Sequence, residues 1–169
     1  MIPAPSNLRL LAIVAGVTLL DQSTKHLVQQ RMLLGEVVPL IDGLLSLRLV
    51  RNTGAAWGML AGWRLFLVAF SLGMLVLVAT RWREFFAHLR WGTLSAGLLL
   101  AGIVGNLIDR LRLGYVVDFI DFYHGVRHFP AFNVADAAIC IGVGLYFLGG
   151  FSRSRVPDRN EDAAGDAAG

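Results

Sequence analysis

The chain has 169 residues, 56% hydrophobic and 16% charged, with a mean hydropathy of +0.61 and a formal charge of +3. Soluble domains carry about 25% charged residues, so the composition argues against one and for a membrane protein. The small net charge gives no reason to expect a nucleic-acid partner. The single cysteine, Cys140, excludes an internal disulfide, and its apolar neighbours predict a packed, inert thiol.

A spanning helix needs about 20 mostly apolar residues, and four segments come close: residues 8–28, 63–80, 91–111 and 133–151. Aromatic residues near several of their ends (Trp57, Trp63, Trp82, Trp91, Tyr123, Phe151) fit an interfacial belt. The first segment, "LRLLAIVAGVTLLDQSTKHLV", has the charged start and apolar core of a signal peptide, but "DQSTKHL" offers no small-residue cleavage site. It carries Asp21 and Lys25 at i and i+4 in the favourable acid-before-base order. A self-neutralising structural pair near the membrane interface is the plainer reading, beside a direct chemical role.

Residues 29–62 form the first outer loop. Leu45, Leu47 and Leu49 alternate with Ser46, Arg48 and Val50, which predicts a strand over residues 44–50 on the outer membrane surface. Gly54, Gly58 and Gly62 beyond it predict turns and close backbone approach. After the second apolar segment, "RWREFFAHLR" reads as a ten-residue loop. The third segment ends in "GNLIDR", which places Asn106, Asp109 and Arg110 on one helix face. Arg110 alone could be reaching for headgroups; the three together look like the wall of a polar pocket.

The second outer loop, residues 112–132, contains "VVDFIDFY", two aspartates three residues apart in an apolar run. Asp118 and Asp121 share a face if this stretch is helical and separate if it is extended, so spacing alone does not say which has a job. The fourth segment opens on "FNVADAAI", where Asn133 is a good N-cap and Asp136 stands at N3 of a capping box. Capping and chemistry are both open to Asp136. Residues 152–169 are polar and predict a disordered cytoplasmic tail following a single membrane domain over residues 1–151.

An even number of spans puts both termini on one side. Seven basic residues fall on that side and eight on the other, so counting does not orient the chain. The three arginines of "RWREFFAHLR" lie in a short loop, where positive residues count most, and they favour cytoplasmic termini.

Asp136 follows Asp118 by eighteen residues, and Pro130 interrupts any helix between them. A chain folded back there brings two carboxylates into one apolar site, where one pKa rises and the pair holds a shared proton. Such a pair suits acid–base hydrolysis with no metal, no cofactor and no nucleophilic side chain. His124 and His128 are the only neighbouring histidines and lack further zinc ligands. A proton-coupled transporter component and a non-catalytic assembly protein are the alternatives. Both fit less well, because the polar residues gather near one face and the second segment offers no relay group.

Five ordered blocks carry a resemblance: "DQSTK" at 21–25, "RNTGAAWG" at 51–58, "GNLIDR" at 105–110, "VVDFI" at 116–120 and "FNVADAAI" at 132–139. Over residues 8–151 the chain resembles the bacterial lipoprotein signal peptidases (signal peptidase II), the membrane aspartyl proteases of the A8 family. The resemblance implies a membrane all-α fold of four transmembrane helices, with a small extracytoplasmic β-sheet cradle and a short outer loop as lid. It implies an inner-membrane enzyme with cytoplasmic termini that cleaves diacylglyceryl-modified prolipoproteins on the amino side of the lipidated cysteine. Carried over block by block, Asp118 and Asp136 become the catalytic pair. Asn52, Asn106, Arg110 and Asn133 fall on substrate-binding positions, and Asp21, Lys25, Gly54 and Asp109 on supporting ones. Asp121 receives no role and is expected to face water or pair with Arg127. The partners implied are the prolipoprotein and membrane lipid, with the enzyme expected to act as a monomer.

Overall fold

A computed structural model describes residues 7–55 and 59–151. Trp57, Gly58 and the tail over residues 152–169 lie outside these, as do the expectations placed on them. Among the described residues, four helices, α1 (Asn7–Arg31), α2 (Arg64–Phe86), α3 (Gly92–Arg112) and α4 (Val134–Phe151), accompany four strands. The strands are β1 (Val37–Ile41), β2 (Leu45–Asn52), β3 (Val116–His124) and β4 (Arg127–His128). They form one antiparallel sheet in the order β1-β2-β3-β4.

The helix α3 is the axis of the bundle, packing against α1, α2 and α4. In its most apolar stretch 56% of residues are buried, against 17% in α2 and 22% in α4, whose apolar side chains face outward. Small residues allow this close packing, as is usual between helices in lipid. A side chain at Gly102 would meet the Ala135 carbonyl oxygen and Ile139 of α4. Ser95 Oγ donates to the Gly142 carbonyl at 2.7 Å, so the two backbones meet through a hydroxyl.

Among the described residues, α2, α3 and α4 are long and apolar enough to cross a membrane. The 25-residue α1 is long enough but less apolar, because Asp21, Gln22 and Lys25 occupy its second half. The protein is thus a multi-pass membrane protein with a small antiparallel sheet at one end of its bundle.

The helix boundaries differ from expectation at one informative place. Residues 81–86 of the expected loop "RWREFFAHLR" continue α2. Val78, Trp82 and Phe86 recur at i, i+4 and i+8 and are buried against Leu10, Ala96 and Leu100, so the apolar stripe outlasts the arginines between its members. The predicted ten-residue loop is a short turn, and the arginine density used to orient the chain lies mostly on a helix. Cys140, expected to be packed, is exposed on α4, where it lines a cavity together with Leu99 and Ile103 of α3.

The strand expected over residues 44–50 is β2, shifted only slightly to Leu45–Asn52. A bulge between Leu47 and Val50 breaks its alternation. "VVDFIDFY" is extended and lies in β3, beside β2. A second core of Val28, Leu49, Val117 and Phe119 joins the end of α1 to this sheet. The sheet therefore sits where α1 and α3 end and α2 and α4 begin.

Candidate active site

A partly open cavity of about 1270 Å³ with mainly apolar walls lies at that end of the bundle. Its polar lining includes Asn52, Arg110, Asn106, Asp118 and Asp136. Asp118 is brought there by the middle of β3 and Asp136 by the first turn of α4, and Asp118 is only 1% exposed.

The N-terminus of α4 is built as the sequence suggests. Asn133 Oδ1 accepts from the Asp136 amide at 2.9 Å, and the Asn133 amide donates back to Asp136 Oδ2 at 3.2 Å. This is a reciprocal capping box. Neither residue is only a cap, however. Asn133 Nδ2 donates to Asp118 Oδ1 at 2.7 Å, and Asn106 Nδ2 donates to Asp136 Oδ1, also at 2.7 Å. Asn133 Nδ2 also reaches Asn106 Oδ1 at 3.1 Å, so two carboxyls and two amides form one network.

The other side of Asp118 is held by Asn52, whose Nδ2 donates to Oδ2 at 2.9 Å. Asn52 is itself fixed by the Gly54 amide donating to its Oδ1 at 2.9 Å. The Gly54 carbonyl accepts from Arg110 Nη2 at 3.2 Å. Gly54 thus joins a residue of β2 to one of α3 through its own backbone.

Behind this layer lies a buried ionic cluster. Lys25 Nζ is 2.9 Å from Asp21, 3.0 Å from Asp109 and 3.1 Å from Asn106 Oδ1, which uses all three ammonium donors. The two acids reach onward to backbone. Asp21 Oδ1 accepts from the Ala135 amide at 2.9 Å, and Asp109 Oδ2 accepts from the Val117 amide at 3.1 Å. Ala135 precedes Asp136 and Val117 precedes Asp118. One ammonium therefore holds two anions, each bound next to one of the cavity carboxylates. The pair Asp21–Lys25 is buried in the bundle and does not open on the cavity. Gln22, which the motif reading passed over, belongs to the same cluster, donating to Asp21, Asp109 and the Gly105 carbonyl.

Burial, and next the neighbouring Asp136, push the Asp118 carboxyl up to about 7, against the pull of the Asn52 and Asn133 amides and Lys25. A group so placed keeps a proton near neutrality and can give it up to a reacting atom. Among the described residues no three His, Cys, Asp or Glu side chains converge to hold a metal ion.

The expectation for Asp121 is overturned. Its side chain is fully buried, accepting from Ser46 Oγ at 2.8 Å and contacting His128 Nδ1 at 2.9 Å. Arg127 lies beside His124 across the hairpin, which carries it away from Asp121. The antiparallel pairing that sets Ser46 opposite Asp121 requires the sheet register, which sequence spacing does not supply.

The family model for signal peptidase (SPase) II matches residues 13–152. The chain belongs to the signal peptidase II family. It is 43% identical over 146 residues to a lipoprotein signal peptidase of Geobacter metallireducens, covering 84% of this chain and 90% of that protein. The lipoprotein signal peptidase of Escherichia coli K12 is 42% identical over 155 residues, covering 89% and 94% respectively. The fold agrees with a solved bacterial membrane enzyme determined by the in meso method at 2.3 Å resolution. The TM-score is 0.85 at 31% identity, over 95% of this chain and 98% of that one. A second such enzyme, at 1.9 Å resolution, gives 0.77 at 33% identity, over 88% and 96%.

Proposed function

We propose that this signal peptidase II family member is an aspartic endopeptidase of the bacterial inner membrane. It removes the signal peptide from diacylglyceryl-modified prolipoproteins, cleaving on the amino side of the lipidated cysteine. The observation that carries the reading is the meeting of Asp118 and Asp136, from separate elements, at one large cavity at the end of the helices. All four helices span, both termini are cytoplasmic, and the sheet and cavity lie near the extracytoplasmic face. The enzyme works as a monomer, with lipid around it.

The chemistry follows from two carboxyls that hold one proton between them. The ionised carboxylate takes a proton from water as the water oxygen bonds to the carbonyl carbon of the scissile peptide. The protonated carboxyl gives its proton to the carbonyl oxygen, so a neutral tetrahedral diol forms. Its collapse breaks the C–N bond. A proton passes to the departing cysteine amine, and the signal peptide leaves with a new carboxyl end. Asn52, Asn106 and Asn133 hold the carboxyl oxygens in place. Arg110, set by the Gly54 carbonyl at the cavity wall, supplies positive charge and donors for the peptide backbone. The acyl chains stay in lipid, and their binding positions a bond that offers few side chains to grip.

Purified enzyme in detergent, given one precursor with and without its diacylglyceryl group, tests this reading. A new N-terminal cysteine should appear, by mass spectrometry, only from the lipidated form. Cleavage of both forms alike, or of neither, would contradict it.

A further inference from the structure

The two aspartates of "VVDFIDFY" grip the two ends of one short segment. Asn133 is bound to Asp118, and His128 is bound to Asp121. Between them Phe129, Pro130, Ala131 and Phe132 line the cavity that holds the carboxyl pair, and His128 borders it too. Backbone bonds hang the segment on β3. The Phe132 carbonyl accepts from the Phe119 and Ile120 amides, and the Phe129 amide donates to the Phe122 carbonyl at 2.7 Å. Phe132 stacks on Phe122 with ring centroids 5.9 Å apart.

The Asp121 end is built for fixed placement. His128 Nδ1 lies 2.9 Å from the Asp121 carboxyl, and this bond sets the orientation of the imidazole ring. Ser46 Oγ fixes the same carboxyl from β2, and Tyr123 stacks on the imidazole at 5.5 Å. Asp121 does not line the cavity, so its influence on a bound molecule passes through His128 and the segment that follows. A fully buried acid is costly unless paired, and this one has no partner in the network of Asp118 and Asp136.

We propose that Asp121 and His128 are positioning residues for substrate binding: they set the place of the apolar wall over residues 129–132, against which the peptide next to the scissile bond lies. This rests on the peptidase reading given above. The carboxyl pair is held by its own amides, so the wall governs affinity and leaves the chemical step alone.

Kinetics on the lipidated precursor, with melting temperature in detergent, separate this role from a merely structural one. His128→Ala should raise KM about tenfold with kcat within about twofold of the parent. His128→Asn, whose Nδ2 stands where the imidazole Nδ1 was, should restore most of the loss. The proposal is overturned if KM is unchanged, if kcat falls in step with the melting temperature, or if a folded His128→Asn is as poor as His128→Ala. Titration with a fluorescent lipidated precursor reads the wall without turnover. If the parent makes no product the peptidase reading fails, and the inference then stands or falls on whether His128→Ala binds the precursor about tenfold more weakly. Equal binding by both proteins, or none by either, overturns it.

Discussion

Asn133 donates its Nδ2 to Asp118 Oδ1 at 2.7 Å, joining the N-cap of α4 to the middle of β3. The same residue caps Asp136, so one side chain registers a strand against a helix and sets the geometry between the two proposed catalytic carboxyls. Ser caps a helix about as well as Asn but cannot supply the amide donors that reach Asp118, Asn106 and the Val117 carbonyl. Asn133→Ser should keep its helicity by circular dichroism while the cleavage rate falls roughly 10- to 100-fold, the scale of a lost bond to a charged group. An Asn133→Ser enzyme with near-parental turnover would mean that capping is the residue's whole role.

The Asp118 carboxyl, raised to about 7 by burial and by Asp136, makes a signed prediction about pH. An aspartate in an unfolded chain titrates at about 3.9. Between that value and about 7 the folded protein keeps a proton that the unfolded chain has released. Stability is then highest below the unfolded pKa and declines as pH rises towards the folded one, levelling off above it. Melting temperature in detergent should fall across this window, with Asp118→Asn flattening the slope. Cleavage should also decline as pH rises through about 7, when the shared proton is lost. A melting temperature that climbs over that window would refute the assignment.

Lys25 is the third test. Its removal strands Asp21 and Asp109, both buried, without their shared cation. Breaking a buried ionic group on one side costs about 3–5 kcal/mol, so Lys25→Met should melt well below the parent. Since each acid also binds backbone beside Asp118 or Asp136, whatever folds should cleave slowly. Thermal denaturation followed by circular dichroism in detergent reads the first effect. An unchanged melting point would show that the cluster adds nothing to stability.

What the sequence disclosed, and what it hid, follows from the range of each interaction. The helices were legible because an apolar stripe is a local pattern, and the capping box of Asn133 and Asp136 was legible because its bonds span three residues. The strand β2 announced itself by alternation, although its bulge did not. Asp121 was misread because its partners, Ser46 and His128, are set by sheet register and by a hairpin, and nothing in the local apolar run signals either. The end of α2 was misplaced for the opposite reason: three arginines outweighed the quieter spacing of Val78, Trp82 and Phe86. Helical spacing placed Asn106 and Arg110 on a polar wall, though Asp109 beside them turns into the buried cluster and not the cavity, and the resemblance added Asn52 and Asn133. Only the fold revealed that the Gly54 backbone joins Asn52 to Arg110, and that Lys25 reaches the neighbours of both carboxyls through Asp21 and Asp109.

Asp118 and Asp136 are proposed to work as one acid–base pair, which neither could form alone. Asp118→Asn and Asp136→Asn, made separately, leave volume and most hydrogen bonding in place while removing a proton site. Single-turnover cleavage of a diacylglyceryl-modified precursor, with folding checked by melting temperature, measures each directly. Both variants should fold, and each should lose about a thousandfold or more in rate. Either variant cleaving at close to the parental rate would contradict it.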